Sequence, residues 1–225
     1  MLFRSANTKP MLTVMNPGSG GTFTENQSAT IASCPAPSPV AEYSTGVGLE
    51  YTNPGSFITN TYTIEMVINF SSGGNRRLMG FYSLSDSLSE YGVYLNSTGG
   101  IDFYNGTSHN INTSTLSTNT WYHLAFVRES DGDILYYKDG VYVGAYTDNL
   151  NQFIPHSGNP DFNIITLLKD DNGEESSGKL AKISIYDAAV AAGDIEDHFE
   201  AICEGTNPPT TGGAKDRKST RLNSS

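Results

Sequence analysis

The sequence predicts an all-β fold, an antiparallel two-sheet sandwich that carries one short helix near its C-terminal end. Three observations support this class. At least eight short apolar stretches alternate with turns rich in Gly, Ser and Asn, one Asp-Gly pair marks a tight hairpin, and a single segment has helical periodicity. No internal repeat is visible, which argues against a propeller.

Residues 62–70 give the longest alternating pattern, in which apolar side chains occupy every second position. This pattern predicts a strand with one buried face. Three shorter strands are expected at 78–82, 91–95 and 101–105, each bounded by Ser, Asn or Gly. Residues 120–128 are apolar at both odd and even positions, as in a strand that is covered on both faces.

A β-hairpin is the clearest local signal in the sequence. Two apolar arms, 134–137 and 141–146, lie on either side of a turn that contains Asp139 and Gly140. Asp-Gly is typical of a two-residue turn with positive φ angles. The segment therefore predicts two paired strands with the turn between them.

Two further strands are predicted at 162–168 and 180–186, followed by the one segment that looks helical, 188–203. Apolar residues recur there at helical spacing, and acidic residues fill the other face. The apolar positions are Ile195, Phe199 and Ile202, and the acidic ones are Asp194, Glu196, Asp197 and Glu200. We interpret the acidic side chains as a solvated helix face.

The two ends of the chain differ from the rest in composition. Residues 1–5 and 216–225, together with Lys215, hold five of the 13 basic residues, and both ends resemble translated sequencing-adapter segments. We therefore exclude them from the fold. The Pro/Thr/Gly-rich stretch 205–214 is typical of a linker, so we expect a longer multidomain parent. The predicted organisation is an adapter-like start plus leader or linker at 1–33, one domain at 34–204, and a linker plus adapter-like tail at 205–225.

Charge and hydropathy exclude several classes of partner. The chain has 24 acidic and 13 basic residues, a formal charge of −11. Nucleic acids and anionic lipids need a Lys/Arg patch that displaces counterions, so neither is an expected partner. No apolar run approaches 18 residues, so no membrane insertion is expected. Abundant Ser, Thr and Asn are typical of β proteins on the extracellular side.

Several stretches resemble laminin-G-like, concanavalin A-like jelly-roll domains. Residues 120–128 carry a Trp strand ending in Ala-Phe-Val-Arg, and 136–144 continue as Tyr-Tyr-Lys-Asp-Gly-Val-Tyr-Val-Gly. The segment 178–187, Gly-Lys-Leu-Ala-Lys-Ile-Ser-Ile-Tyr-Asp, is similar to the family's closing strand. Upstream, 47–51 and 62–65 lie where the family's opening strands are found. Three such motifs in the right order are fairly specific.

The resemblance covers roughly residues 40–203 and implies a jelly-roll sandwich. It also implies a non-catalytic extracellular binding or adhesion module, secreted or at the surface of a bacterial cell, that recognises a glycan or a protein partner. A passive spacer domain of a surface adhesin fits equally well, and a glycoside hydrolase-like jelly roll is a weaker alternative. The acidic pair usual in the closing strand is Ala181-Lys182 here, so no role of that pair is carried over.

No catalytic residue is assigned. Glycosidases on this fold place two or three carboxylates at alternate positions of one strand. The strand at 62–70 supplies only Glu65, and no Glu-x-Asp-x-Glu stretch exists. Glu129, Asp131 and Asp133 have the required spacing, but Ser and Gly between them indicate a loop.

Calcium is the metal that the sequence favours. The loop 170–177 contains four carboxylates, and the family resemblance implies calcium in rim loops of this kind. We predict that Asp170, Asp171 and Glu175 help to bind calcium, the alternative being a solvated acidic loop. A second, poorer candidate is the loop 130–133. The histidines lack zinc-ligand spacing, and we interpret His123 as a packed residue of the sandwich. They are His109, His123, His156 and His198.

Two further hypotheses concern the cysteines and the aromatic residues. Cys34 precedes the predicted sandwich and Cys203 follows its helix, so a disulfide would join the two ends; two unpaired buried thiols are the alternative. No ligand-binding residue is assigned, but aromatic rings near polar groups are what a glycan site needs. Plausible surface tyrosines are Tyr82, Tyr91, Tyr94, Tyr104 and Tyr142.

Overall fold

The computed structural model describes residues 48–53, 58–81, 91–111, 114–155, 163–170 and 174–203, and, before residue 48, the backbone of the strands alone. Within these ranges it contains seventeen strands and one helix. They are β1 (Phe3–Arg4), β2 (Leu12–Met15), β3 (Thr24–Asn26), β4 (Ala29–Ile31), β5 (Cys34–Ala36), β6 (Val40–Tyr43), β7 (Gly48–Thr52), β8 (Tyr62–Phe70), β9 (Arg76–Gly80), β10 (Tyr91–Leu95), β11 (Ile101–Asn105), β12 (Ser108–Ile111), β13 (Trp121–Arg128), β14 (Asp133–Lys138), β15 (Val141–Thr147), β16 (Ile164–Leu167), β17 (Gly178–Tyr186) and α1 (Ala192–Cys203).

The strands form two main sheets. Sheet A has the order β15-β14-β13-β8-β17-β6-β3, with β1 added in parallel to β17. Sheet B has the order β12-β11-β10-β9-β16-β7-β2, and β4 and β5 form a separate pair. All the other pairings are antiparallel. This confirms the all-β, two-sheet jelly-roll sandwich with one short C-terminal helix.

The core lies between the two sheets, where alternate residues of each strand point inward. Ile64, Met66 and Ile68 of β8 face Phe103 and other apolar residues of sheet B. The expectation of one buried face for β8 was wrong, because all nine of its residues are buried. The physical reason is that sheet A is covered on its outer side as well, by helix α1.

Helix α1 packs on the outer face of sheet A through two small apolar clusters. Ile202 lies against Val67 and Trp121, whereas Ile195 lies against Val127 and Tyr137. The helix begins at Ala192, four residues later than predicted, and its acidic side chains are exposed or half-buried as expected. It is not long and apolar enough to cross a membrane, and the described chain has no other helix.

The predicted hairpin is confirmed. Strand β14 ends at Lys138 and β15 begins at Val141, so the loop consists of Asp139 and Gly140, with φ angles of 51° and 79°. Two positive φ angles in a two-residue loop are the type I′ geometry that Asp-Gly favours. The turn also contacts the helix, since a Cβ on Gly140 would lie 3.3 Å from the Glu196 Cα and the Phe199 Cβ.

Gly140→Ala is therefore expected to destabilise the domain more than Gly106→Ala does. Both glycines have positive φ, 79° and 94°, which costs a residue with a Cβ about 1–2 kcal/mol. A Cβ at Gly106 would meet nothing within 4 Å, so that variant measures the backbone term alone. Chemical denaturation should give a loss of about 1 kcal/mol for Gly106→Ala and about 2 kcal/mol for Gly140→Ala. Equal losses would mean that the turn does not pack against α1.

Strands from residues 1–33 join the sheets at the level of the backbone. Leu12 pairs with Tyr51 through β2, and Thr24 pairs with Glu42 through β3. The predicted sandwich spans 34–204 and leaves these strands out, because short strands at a sheet edge need little apolar alternation and leave a weak signal in the sequence. The side chains of this region lie outside the described residues, and the boundary at residue 34 stays a prediction.

The disulfide between Cys34 and Cys203 also stays a prediction, because the Cys34 side chain lies outside the described part. Strand β5, which begins at Cys34, contacts α1, which ends at the half-buried Cys203. We expect a thiol reagent to detect no free thiol in the unreduced, denatured protein and two free thiols per chain after reduction. Two free thiols before reduction would contradict the pairing.

Candidate functional site

The outer face of sheet B carries the polar residues that the core excludes. In β11, Ile101 and Phe103 point into the core, so Asp102 and Tyr104 point outward. Tyr94 of β10 lies directly opposite Asp102 in the ladder. The outward side chains of neighbouring strands therefore form continuous rows across the sheet.

A pocket of about 170 Å³ opens on this face. Its described lining contains two carboxylates, two phenol rings, one amide and one hydroxyl. The residues are Asp102, Glu174, Tyr94, Tyr104, Asn75 and Ser108. Hydrogen-bonding groups beside aromatic rings are what orient a ligand in a small binding site.

Asp102 is the central polar group of this pocket. Its side chain is 8% exposed, and its Oδ1 atom has no hydrogen-bond partner among the described residues. A buried carboxylate oxygen without a donor is destabilising, since it has lost water and gained nothing. Asp102 is therefore arranged to accept a hydrogen bond from a bound molecule or from ordered water.

Two tyrosine rings form the aromatic wall of the pocket. The Tyr94 and Tyr104 rings meet edge to face, with centroids 6.2 Å apart and an interplanar angle of 83°. Tyr94 is buried, whereas Tyr104 is half-buried and more accessible to a ligand. Such a perpendicular pair is favourable in itself and holds the ring of Tyr104 in a defined orientation.

A buried arginine packs against the Tyr94 wall of the pocket. The Arg77 guanidinium lies over the Tyr94 ring, 4.8 Å from its centroid, and donates to the Tyr94 hydroxyl. Its Nη2 forms an ion pair with the Asp170 Oδ1 at 3.2 Å, and both side chains are buried. The absence of a side chain at Gly80 leaves space for the Arg77 guanidinium, because a Cβ there would lie 2.6 Å from the Arg77 Nη1.

The predicted calcium ligands lie in different environments. Asp170 is directed to Arg77 in that buried ion pair, Glu175 is half-buried, and Asp171 lies outside the described residues. The segment also packs along β9, because the Ser176 hydroxyl donates to the Arg77 carbonyl at 2.8 Å. Among described residues, no group of three or more His, Cys, Asp or Glu could hold a metal ion. The calcium site stays a prediction.

The four described tyrosines that were proposed as surface residues differ in exposure. Tyr142 is 54% exposed and Tyr104 and Tyr91 are half-buried, whereas Tyr94 is only 5% exposed. Tyr82 lies outside the described residues. Tyr94 and Tyr104 meet in the pocket, while Tyr142 lies on the hairpin of sheet A.

A second polar cluster is buried between sheet A and α1. Glu65 of β8 accepts hydrogen bonds from the His198 Nδ1 at 2.7 Å and the His123 Nε2 at 3.4 Å. None of the three side chains is more than 1% exposed. His123 is buried, as expected of a packed residue of the sandwich. Its contact with the Glu65 carboxylate was not predicted.

The charge of Glu65 is stabilised by these two histidines. Burial alone would raise the pKa of the carboxyl, but hydrogen bonds and charge interactions with His123 and His198 outweigh it and lower the pKa from 4.5 to about 2. Glu65 is thus an ionised group that fixes α1 on the sheet, and it is closed to any ligand.

A shallow cavity of about 490 Å³ lies where the edges of the two sheets meet, between β12 and β15. The His109 and Tyr146 rings lie on one side of it, with centroids 4.9 Å apart. Both side chains are held by Asn105, which binds the His109 Nε2 at 3.2 Å and donates to the Tyr146 hydroxyl at 2.9 Å. Because these polar groups satisfy one another, this cavity is a weaker candidate site than the pocket of Asp102.

Asp102, Glu174 and Arg77 were not predicted as residues of this site. Asp102 could have been found, since it occupies the polar position of an alternating strand, Ile-Asp-Phe-Tyr. Glu174 belongs to the acidic loop that was interpreted as a calcium site. Nothing in the sequence indicates that Arg77 is buried, because its partner Asp170 is remote in the chain.

Comparison with known proteins places the chain among lectin-like folds. A family model described as the concanavalin A-like lectin/glucanases superfamily matches residues 44–196. No curated protein matches the chain. The family match covers the strands of sheet B that line the pocket, β10, β11 and β12.

Several solved structures share the fold at low identity. Domain 4 of the extracellular GH43 arabinanase AbnA from Geobacillus stearothermophilus, solved with arabinotriose, has a TM-score of 0.61 and 14% identity over 83% of this chain and 86% of that one. The receptor-binding domain of botulinum neurotoxin mosaic serotype C/D has a TM-score of 0.59 and 13% identity over 87% of this chain. The binding domain of Paraclostridial Mosquitocidal Protein 1 has a TM-score of 0.59 and 15% identity over 85%. This chain spans just under half of the botulinum neurotoxin and Mosquitocidal Protein 1 domains, 46% and 47%.

Proposed function

Because the chain belongs to the concanavalin A-like lectin/glucanase superfamily, we propose that it is a non-catalytic module that binds a glycan. The observation that carries the proposal is the pocket on sheet B, in which the buried carboxylate of Asp102 lies beside the Tyr94 and Tyr104 rings. Sugar hydroxyls donate hydrogen bonds to carboxylates, and the apolar faces of sugar rings pack on aromatic rings. The volume of about 170 Å³ is below the roughly 300–1,000 Å³ of sites for drug-sized ligands, so we expect the pocket to hold a single residue of a glycan chain and not a longer segment.

The structural neighbours support binding as the role of this fold. The arabinanase domain was solved with arabinotriose, the botulinum neurotoxin domain is a receptor-binding domain, and that of Mosquitocidal Protein 1 is a binding domain. We propose a secreted or cell-surface location in a bacterial multidomain protein, on the basis of the Ser-, Thr- and Asn-rich composition and the linker-like stretch 205–214. A protein partner in place of a glycan is the principal alternative.

Tyr104→Ala is expected to lower glycan affinity about tenfold or more, because it removes the accessible ring of the pocket. Tyr142→Ala is the matched control, since Tyr142 is exposed on the other sheet. A glycan array with and without calcium identifies the ligand, and calorimetry on the best glycan measures both variants. No binding to any glycan in either condition, or equal losses in the two variants, would contradict the proposal.

A hydrolase is the second candidate function, because Asp102 and Glu174 line the same pocket. Glycosidases use two carboxylates that flank the scissile bond, so this pairing is a specific reason to test the activity. Turnover of a panel of β-glucans and arabinans by the wild type, lost in Asp102→Asn, would replace the non-catalytic proposal. Binding without turnover is the result that we expect.

A further inference from the structure

The pocket on sheet B is acidic. Of its six described lining residues, Asp102 and Glu174 are carboxylates and none is Lys, Arg or His. The formal charge of the whole chain, −11, has the same sign. An anionic ligand would meet repulsion here, while a cationic ligand would be attracted both at a distance and at contact.

The described arginine that contacts the pocket wall, Arg77, does not offset this charge. The Arg77 guanidinium lies over the Tyr94 ring, but it is paired with Asp170 at 3.2 Å. Asp102 lies on the other side of Tyr94 in the cross-strand row. The pair of Arg77 and Asp170 is neutral as a whole, so the negative charge of Asp102 is left for the ligand.

The buried state of Asp102 adds a chemical requirement. A carboxylate can only accept hydrogen bonds, and its Oδ1 has no donor among the described residues while the side chain is 8% exposed. A neutral hydroxyl would donate one hydrogen bond and leave the charge unpaired. A protonated amine would supply the hydrogen bond and the opposite charge together, and charge-assisted hydrogen bonds are roughly twice as strong as neutral ones.

The aromatic wall also favours a cation. The faces of phenol rings carry negative electrostatic potential, so an ammonium group near the half-buried Tyr104 ring is attracted to it. We propose that the pocket selects a glycan with a free, protonated amine, that is, an amino sugar without its acetyl group, and that Asp102 determines this specificity. The inference rests on the proposed glycan-binding function and names its ligand class.

The test compares three oligosaccharides of equal length by calorimetry at about pH 6, where the sugar amine is protonated. The probes are hexamers of glucosamine, N-acetylglucosamine and galacturonate. We expect the glucosamine hexamer to bind about tenfold more tightly than the acetylated hexamer, and the galacturonate hexamer most weakly. Raising the salt from about 0.05 to 0.5 M should weaken the glucosamine complex and leave the acetylated one unchanged.

Asp102→Asn tests the specificity residue, since it keeps the shape and removes the charge. It should lower affinity for the glucosamine hexamer about tenfold and change affinity for the acetylated hexamer by less than about twofold. Glu200→Gln, which removes one charge from an exposed position on α1, is the matched control and should change neither. Thermal unfolding checks that both variants are folded, and the salt series on the wild type does not depend on them.

The outcomes separate this inference from the proposed function. If the acetylated or the anionic hexamer binds as tightly as the glucosamine hexamer, or if Asp102→Asn weakens all ligands equally, amine selection is wrong and glycan binding stands. If none of the three hexamers binds while the array identifies another glycan, the inference is again wrong. If the array identifies no glycan at all, the proposed function fails and the inference fails with it.

Discussion

Glu65→Ala is expected to lower the free energy of unfolding by about 3–5 kcal/mol. The variant leaves His123 and His198 buried without the carboxylate that accepts hydrogen bonds from their ring nitrogens. Removing one member of a buried charged group leaves the others without compensation, which is more destabilising than losing an exposed ion pair. Urea denaturation measures the loss. Glu200→Ala, exposed on the same helix as His198, should cost less than about 0.5 kcal/mol.

The same carboxylate should make stability depend on pH in the acid range. The pKa of Glu65 is about 2 in the folded protein and 4.5 ordinarily, so the unfolded chain binds more protons between these values. The stabilisation is therefore complete above about pH 5 and is lost as the pH falls towards 2; it corresponds to about 3 kcal/mol. Because Glu65→Gln cannot ionise, its stability deficit relative to the wild type should shrink across this window.

Two results would contradict this account of the cluster. A deficit of Glu65→Gln that stays constant between about pH 5 and pH 2 would mean that the ionised carboxylate does not stabilise the fold. A Glu65→Ala variant that is as stable as Glu200→Ala would mean that α1 does not depend on the buried cluster.

Asp170→Ala is expected to cost about 3–5 kcal/mol even in EDTA, because it leaves the buried Arg77 guanidinium without the carboxylate at 3.2 Å. Arg77 also supports the Tyr94 ring, so the variant should weaken ligand binding at the pocket as well. Glu175→Ala changes a half-buried carboxylate of the same segment and is expected to cost less than about 1 kcal/mol in EDTA. Denaturation curves in EDTA and in millimolar calcium, at matched ionic strength, measure both effects.

Comparing the curves in EDTA and in calcium shows whether Asp170 acts as the ion-pair partner of Arg77 or as a calcium ligand. If calcium binds the 170–175 loop, it should raise the melting temperature of the wild type, since an ion that binds only the folded state stabilises it by mass action. A deficit of Asp170→Ala that is equal in EDTA and calcium would assign the residue to Arg77. A deficit that appears only in calcium would make Asp170 a calcium ligand and contradict the dominance of the ion pair.

The fold class follows from local patterns that the sequence displays directly. The hairpin at Asp139 and Gly140 depends on turn chemistry within a few residues, and the strands at 91–95 and 101–105 have the bounds that the flanking Ser, Asn and Gly residues predict. Strand β12 was missed because Ser-His-Asn-Ile has a single apolar residue. Its pairing with β11 comes from backbone hydrogen bonds, which leave little trace in side-chain pattern.

The candidate site was less predictable because its residues come from separate strands. The sequence supplies Tyr94 and Tyr104 as plausible surface tyrosines, but no ligand-binding residue was assigned and Asp102 was missed. The depth of Asp102 depends on the pairing of β10 with β11, which positions Tyr94 directly opposite it. The burial of a side chain depends on its neighbours on adjacent strands, so the residue pattern of one strand does not predict it.

By itself, the sequence determined the two-sheet sandwich, the hairpin, the acidic character and the family, because each depends on composition or on residues close together in the chain. Only the tertiary structure decided which carboxylates have charged partners and which face a ligand. Glu65 and His198 are 133 residues apart, yet their atoms lie 2.7 Å from each other. The energy of a charge is fixed by what surrounds it within a few ångströms, and the folding of distant segments against one another creates those surroundings.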